Sequence, residues 1–192
     1  MSQYGAFYLQ WAPITKETAA ALPEYGDPVN LGALTKVTDA PTYSSVTADG
    51  DNRVRDSVDE FTGGTVDVNV TELENPVAAK IYGVAHTDEA GDLVLSTEDA
   101  PPYGGMAFCL NKVKGTVKFF QGVFYPKLKA VPQGNEFNTK AKSGVVLTGG
   151  KIHFNWEAPE YGKYFYMSPE LQTETEAKAW VDSKIKKAAA AG

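Results

Sequence analysis

The run Gly63-Gly64-Thr65-Val66-Asp67-Val68-Asn69-Val70-Thr71 decides the fold class of this chain. Three valines alternate in it with polar residues. A period of two is typical of a β-strand that has one face in a core and the other in water. The run therefore predicts a half-buried strand over Thr65–Leu73. Its inner residues are Val66, Val68 and Val70, and its outer residues are Asp67, Asn69 and Thr71.

An acidic, charge-rich segment precedes this strand and predicts a long solvated hairpin loop over about residues 48–64. A loop of that length inside a compact domain is usually functional or disordered. We therefore predict that it makes contacts with another molecule. The charged residues of this loop are Asp49, Asp51, Arg53, Arg55, Asp56, Asp59 and Glu60.

Two helices are predicted after the strand. For the first, Asn75 suits the N-cap, Pro76 the first helical position and Gly83 the C-terminal stop. The second is a C-terminal helical extension over about residues 170–190, begun by a capping box of Thr173 and Glu176. The first helix carries an apolar stripe and is expected to pack on a sheet.

The other predicted strands are short and separated by turn residues. Two precede the acidic segment, Leu31–Thr38 and Thr42–Thr47, with a turn at Asp39-Ala40-Pro41 between them. Six follow the first helix: Leu93–Ser96, Met106–Val113, Gly115–Tyr125, Lys127–Val131, Val145–Leu147 and Lys151–Trp156. The pattern predicts a single domain over residues 1–192. It is mainly β, an antiparallel sandwich or barrel-like fold with one internal flanking helix and one C-terminal helix.

Charge is divided unequally between the two halves of the chain. Residues 1–100 carry 5 basic and 17 acidic side chains, a net charge of −12, whereas residues 101–192 carry 13 and 7, a net charge of +6. Unlike charges on two faces favour head-to-tail association between copies. The acidic total argues against tight nucleic-acid binding. The chain has no apolar run of the roughly 20 residues that span a bilayer, and no membrane partner is expected.

No metal or cofactor site is expected from the sequence. Asp49, Asp51 and Glu60 fall at positions one, three and twelve of a calcium loop. However, Arg53 stands where a third oxygen ligand belongs, and Val54 replaces the glycine that the turn needs. The residues of the types that bind zinc are His86, His153 and Cys109, and their spacing matches no zinc motif. Cys109 lies in an apolar run and is predicted to be a core residue.

Catalytic motifs are also lacking in the sequence. No Gly-x-Ser-x-Gly elbow occurs, and the paired glycines Gly63-Gly64, Gly104-Gly105 and Gly149-Gly150 do not open a phosphate-binding helix. Paired carboxylates such as Asp59-Glu60 are more often a solvated charge run than an acid/base pair. We therefore expect a protein that is not an enzyme.

Several segments, taken in order, resemble the major tail (tail tube) proteins of long, non-contractile-tailed phages. The resemblance covers about Phe7 to Trp156. The segments that carry it are Pro23–Leu31, Ala48–Val54 with Gly50-Asp51 as an apparent insertion, Gly63–Leu73, Pro101–Phe108, and Asn138–Lys140 with the strand up to Gly149-Gly150. The C-terminal part, Glu157–Gly192, does not align, and the immunoglobulin-like domain that some members append is not present in this sequence.

The resemblance implies a structural virion protein. Members of the family form hexameric rings in which strands from each subunit complete a β-barrel around a lumen. The rings stack into a tube on a tape-measure protein, and double-stranded DNA passes through the tube without specific binding. The implied location is the virion tail, after assembly in the host cytoplasm. An infectious phage and a phage-derived particle remain equal alternatives.

Two sets of residues become candidates in this framework. The charged loop residues, from Asp49 to Glu60, are the candidates for contacts between subunits and between stacked rings. The lumen-facing candidates are Asp67, Asn69, Thr71 and Glu72. The competing class is a monomeric β-sandwich that binds carbohydrate or a cell surface. Its candidate stacking residues are Tyr161, Tyr164, Phe165, Tyr166 and Trp180.

Overall fold

The computed structural model describes residues 2–50, 53–84, 92–133 and 149–185, and over residues 46–50 and 53–57 it describes the backbone alone. The predicted strand Val145–Leu147, the segment Asn138–Lys140 and His86 lie outside the described residues. The elements, in chain order, are β1 (Ser2–Thr18), β2 (Ala21–Tyr25), β3 (Val29–Asn30), β4 (Leu34–Gly50), β5 (Arg53–Val70), α1 (Asn75–Tyr82), β6 (Tyr103–Lys114), β7 (Val117–Val131), β8 (Gly150–Trp156), β9 (Tyr166–Met167) and α2 (Glu174–Ile185).

The described strands form one antiparallel sheet in the order β2-β1-β6-β7-β8-β5-β4, with β3 paired to β1 and β9 to β7. The prediction of a mainly β, sandwich-like fold with two helices is confirmed. The long strands β4 and β5 pair along their whole length, from Leu34 opposite Val70 to Gly50 opposite Arg53. They form a hairpin that is much longer than the part of it covered by β8.

The main core lies on one face of this sheet. The alternation in β5 is confirmed, because Val66, Val68 and Val70 are fully buried. They share one apolar cluster with residues of the far side of the sheet, such as Trp11 and Met106. The sheet therefore curls so that its two sides enclose the core. Burial of this apolar surface is the main stabilising contribution, at about 25 cal/mol per Å².

A second core lies on the opposite face, beneath α2. Ala107 and Cys109 of β6 point into it, while Met106 and Phe108 point into the main core. Strand β6 is buried on both faces for this reason, and the prediction that Cys109 is a core residue is confirmed. Burial raises the pKa of the Cys109 thiol to about 12, so the thiol stays protonated and unreactive at neutral pH.

A β-bulge in β7 redirects its side chains. Gly104 lies opposite Leu128 and Met106 opposite Tyr125, so β7 has one residue more than β6 between these pairs. The sequence predicted two strands here, Gly115–Tyr125 and Lys127–Val131, but they are one strand. Pro126 lies at the bulge, where the missing N–H costs no regular ladder hydrogen bond. The bulge places both Tyr125 and Leu128 in the main core.

Helix α1 begins one residue earlier than predicted. The carbonyl of Glu74 accepts the first helical hydrogen bonds, from the N–H groups of Val77 (3.0 Å) and Ala78 (2.9 Å). Glu74 is therefore the N-cap, and the prediction of Asn75 at this position is wrong. The stop at Gly83 is confirmed. Its φ of 64° is left-handed, and a Cβ there would lie 2.2 Å from the Ala100 oxygen.

Helix α2 covers the second core. Its predicted capping box is confirmed, because the N–H of Glu176 donates to Thr173 Oγ1 (3.2 Å) and the N–H of Thr173 donates to Glu176 Oε2 (3.1 Å). The helix itself is shorter than the predicted extension over residues 170–190. Residues 170–173 are not helical, the helix spans Glu174–Ile185, and residues 186–192 lie outside the described part of the chain.

Tyr8 connects β1 to this helix. A bulge in β1 gives Tyr8 a φ of 57°, a strained value for a bulky residue. The Tyr8 hydroxyl donates a hydrogen bond to Asp182 Oδ1 at 2.9 Å. Burial and this hydrogen bond raise the pKa of Tyr8.

The prediction of a loop over residues 48–64 is wrong, and this is the largest difference between the predicted and the observed fold. Its described residues are strand, because the ladder between β4 and β5 continues to the pair Gly50 and Arg53. The predicted turn at Asp39-Ala40-Pro41 is also wrong, since β4 runs through it. Pro41 is tolerated there because β4 is an edge strand in the described part of the chain, so a residue without an N–H can stand in it.

Candidate assembly surface

The outer half of the β4–β5 hairpin extends beyond the rest of the sheet. Strand β8 pairs with β5 only from Gly64 opposite Trp156 to Val70 opposite Gly150. On the N-terminal side of Gly64 the described part of β5 pairs with β4 alone, and within the described chain β4 forms a strand ladder only with β5. We call the part of the hairpin from Thr42 to Gly63 the arm. Two free edges of an extended ribbon are templates for pairing with another chain.

The predicted contact residues that the structure describes fall on the arm. The backbone register places Asp49 opposite Val54, and Asp56 opposite Ala48. Arg53 and Arg55 belong to β5, while Asp51 lies outside the described residues. Asp59 and Glu60 are exposed, opposite Ser45 and Ser44. Strand geometry therefore brings the charged residues together on one ribbon, and the apolar Val58 on the same ribbon is 66% exposed.

An aromatic group holds the base of the arm. The ring of Phe61 stacks on Tyr164 with centroids 3.8 Å apart and planes 7° apart. Phe61 also contacts Trp156 at 4.9 Å and Tyr43 at 5.9 Å. The segment after β8 is fixed in place because the indole N–H of Trp156 donates to the carbonyl of Tyr164 at 3.1 Å. The base of the arm is thus clamped to the sheet by the segment that follows β8.

A hydrogen bond secures the other strand of the hairpin. The Tyr125 hydroxyl donates to Asp39 Oδ2 at 3.0 Å and so ties β4 to β7 across the core edge. Burial of Tyr125 is the main reason that the pKa of this phenol is raised, and the Asp39 carboxylate adds to the effect. The phenol is therefore a hydrogen-bond donor over the whole physiological pH range.

The outer face of β5 is part of a polar surface formed by outward-facing residues of β4, β5, β8 and β7, which we call the polar grid. Asp67 lies opposite Thr38 on β4 and opposite His153 on β8. In the next row Asn69 lies opposite Lys36 and Lys151. Residues directly opposite each other share a face, so these side chains form one surface. His153 lies on this surface beside Asp67, and its side chain is 18% exposed.

Asp67 is neutralised locally on this face. The Asp67 Oδ1 atom lies 2.8 Å from His153 Nδ1 and 3.7 Å from Lys151 Nζ. An ionised carboxylate only accepts hydrogen bonds, so the imidazole nitrogen is the donor. This hydrogen bond, assisted by the charge of Lys151, lowers the pKa of Asp67 against an opposing effect of burial.

The four lumen candidates do not share one surface. Asp67 and Asn69 lie on the polar grid, but β5 ends at Val70, and Thr71 and Glu72 follow in a bend. These two residues are exposed and line an open cleft of about 350 Å³. The other residues at the cleft are Asn30, Leu31, Gly32, Ala33, Glu74 and Val77. The chain turns here because the N–H of Thr71 donates to the carbonyl of Ala33 at 2.9 Å.

Sequence reasoning missed the basic members of the grid. Lys36, Lys151 and Lys129 lie in the rows around Asp67, with Lys129 opposite Asn155 on β8 and Tyr103 on β6. Lys129 and Lys151 alternate with non-polar neighbours in their own strands, and this was the signal available in the sequence, whereas Lys36 follows a threonine. The strand order, which places these lysines around one aspartate, could not be predicted from the sequence.

The described residues offer little for other chemistry. Among them, no group of three or more His, Cys, Asp or Glu side chains is arranged to hold a metal ion. None of the described helices has the length and apolarity needed to cross a membrane.

No protein-family model matches this chain, and no curated protein matches it. The function is therefore inferred from the residues of the chain itself.

Proposed function

We propose that this protein is a tail-tube subunit, a structural protein that assembles into stacked rings around a lumen for double-stranded DNA. The observation that carries the proposal is the arm, a β-ribbon with both edges free of strand neighbours in the described chain. Exposed strand edges are a liability in a monomer, and pairing between subunits removes them. The resemblance to tail-tube proteins includes part of this hairpin.

The clamp at the base of the arm supports a role in assembly. A ribbon that extends from a sheet without support would sample many orientations, and each interface would then have to order it. The stack of Phe61 on Tyr164 and the hydrogen bond from Tyr125 to Asp39 reduce that freedom before association. The arm is therefore presented in a defined direction to the next copy.

The polar grid is proposed as the lumen wall, with a revision of its electrostatics. Acidic side chains on a lumen wall would repel DNA phosphates. Asp67 is instead paired with His153 and Lys151, and Lys36 and Lys129 lie in neighbouring rows. The grid is thus mixed in charge, and its assignment to the lumen rests on its polarity, not on repulsion. Thr71 and Glu72 are not retained as wall residues.

Shortening the arm tests the proposal. In the test variant, a two-residue Asn-Gly turn would replace residues 46–58 and so connect Ser45 to Asp59, which lie opposite each other. Asn-Gly suits the tight turn of a two-residue hairpin. The clamp and both cores remain, so the variant is expected to keep its melting temperature within about 4 °C, a change of roughly 1 kcal/mol.

Sedimentation velocity over a concentration series gives the decisive result. The unmodified chain is expected to form large species whose masses are multiples of 20.7 kDa, and the short-arm variant is expected to remain a monomer. Equal assembly of both proteins would refute the role of the arm. An unmodified chain that stays monomeric at every concentration would refute the tail-tube proposal.

The alternative is a monomeric carbohydrate-binding module, but three of the five aromatic residues proposed to stack on a sugar are packed within the chain. The ring of Tyr164 stacks on Phe61, and the ring of Trp180 packs so closely over Gly122 that an added Cβ would lie 2.2 Å from it. Tyr166 packs against Phe124. Rings whose faces are occupied within the chain are poorly available to stack on a sugar, and Phe165 is only 37% exposed.

A further inference from the structure

Two tyrosine hydroxyls meet at the base of the arm. The hydroxyl oxygen of Tyr43 on β4 lies 3.4 Å from the hydroxyl oxygen of Tyr164, which belongs to the segment after β8. The two residues are 121 positions apart in the chain. The hydroxyl pair therefore connects two distant parts of the chain at the point where the arm leaves the rest of the sheet.

The other described tyrosine hydroxyls bind acceptors of a different kind. Four of them donate to a carboxylate or to a backbone carbonyl, namely those of Tyr8, Tyr25, Tyr103 and Tyr125. Among the described hydrogen bonds, the contact between Tyr43 and Tyr164 is the one that joins two phenols. Tyr43 is 51% exposed, so a reagent in solution can reach this pair.

Phe61 holds both phenol rings in position. Its ring stacks on Tyr164 with centroids 3.8 Å apart and meets Tyr43 edge-on with centroids 5.9 Å apart. The backbone of Tyr164 is also fixed, because its carbonyl accepts the hydrogen bond from the indole N–H of Trp156. The two phenols are thus kept together by packing, and groups that are held in contact react with each other far faster than free ones.

The hydroxyl contact brings the reactive ring carbons of both residues close together. The carbons ortho to a phenol hydroxyl are bonded to the carbon that carries it, and tyrosyl radicals couple at these ortho positions. In the coupled product the two hydroxyls lie side by side, as those of Tyr43 and Tyr164 already do. The native arrangement is therefore close to that of a dityrosine.

We propose that Tyr43 and Tyr164 are a modification site, at which a one-electron oxidant such as a haem peroxidase with hydrogen peroxide forms an intramolecular dityrosine bond. Each phenol loses one electron and one proton. The two radicals join through a new bond between ortho carbons, and each ortho hydrogen then moves to the oxygen of its own ring, which restores both hydroxyls. One molecule of hydrogen peroxide takes up the two electrons and two protons and becomes two molecules of water.

The bond would make the clamp at the base of the arm covalent. It would close a loop of 121 residues and restrict the unfolded chain, as a disulfide across a long loop does. We expect the melting temperature to rise by roughly 5–15 °C. The inference goes beyond the proposed function, because both tyrosines belong to one chain and the bond needs no assembly. The buried, protonated thiol of Cys109 does not compete for the oxidant.

Oxidation of the dilute protein with a haem peroxidase and hydrogen peroxide tests the inference. Blue dityrosine fluorescence should appear in protein that still migrates as a monomer. Trypsin cleaves after lysine and arginine, so it should release peptide 37–53 joined to peptide 164–178. Mass spectrometry should find this joined peptide lighter by two hydrogen atoms than the sum of the two peptides.

Three phenylalanine variants assign the bond. Tyr43→Phe and Tyr164→Phe keep their rings and should each lose the joined peptide. Tyr4→Phe is the matched control, because Tyr4 is 53% exposed but lies on β1, and this variant should give the joined peptide in full yield. A joined peptide that persists in Tyr164→Phe, carried by Tyr166, would overturn the assignment. Oxidised monomer without a dityrosine bond, or crosslinked dimers alone, would also overturn it, while the sedimentation test of the tail-tube function would be unaffected.

Discussion

Replacing Phe61 with alanine should loosen the arm and lower the stability of the protein. The side chain packs against three aromatic rings, those of Tyr164, Trp156 and Tyr43. Aromatic pairs of this kind contribute about 0.5–1.5 kcal/mol each beyond the area they bury. Phe61 is only partly buried, so the total falls below the roughly 3–5 kcal/mol typical of a fully buried Phe→Ala substitution. We expect a loss of about 2–3 kcal/mol.

Chemical denaturation measures this loss directly. In a chain of this length, about 2–3 kcal/mol also corresponds to a fall in melting temperature of roughly 4–12 °C. Tyr43→Phe is the matched control, because it keeps the ring and removes only the exposed hydroxyl, which lies 3.4 Å from the hydroxyl of Tyr164. The control should change the free energy of unfolding by less than about 0.5 kcal/mol. A Phe61→Ala variant as stable as the control would refute the aromatic clamp.

Three further predictions concern other parts of the molecule. Gly122→Ala should destabilise the protein by about 1–3 kcal/mol in thermal melts, because the new Cβ would lie 2.2 Å from the Trp180 ring and push α2 outward. Asp67→Asn should cost less than about 1 kcal/mol at pH 7, since the carboxylate is partly exposed. The folded-state pKa of Asp67 is lowered, so this stability exists above the unfolded pKa and is lost as pH falls through the folded value; denaturation curves of both proteins should converge in strong acid. Arg53→Glu with Arg55→Glu should leave a folded monomer that polymerises poorly, and tubes of normal yield and length would contradict this.

Local patterns in the sequence predicted the parts of the fold that they determine. The valine alternation in β5 identified the buried face, and the Thr173 and Glu176 capping box located the start of α2. Gly83 marked the end of α1, where only a residue without a side chain fits beside Ala100. In each case the signal lies in the residues of the element itself.

The arm was predicted as a loop because its strand structure depends on a partner far away in the register. Charged residues such as Asp56 and Asp59 have low strand propensity, yet each lies opposite a small residue of β4 and continues a ladder that the core residues begin. The polar grid was not predicted from the sequence for a similar reason. His153 and Lys151 are more than 80 residues from Asp67, and only the order β8-β5-β4 brings them together.

Electron microscopy of the purified chain tests the central claim most directly. The protein would be concentrated stepwise, stained and imaged beside the short-arm variant. We expect rings, or tubes built of stacked rings, with one uniform bore for the unmodified chain, and isolated particles of monomer size for the variant. Isolated monomers of the unmodified chain at the highest concentration, or irregular aggregates without a bore, would contradict this claim.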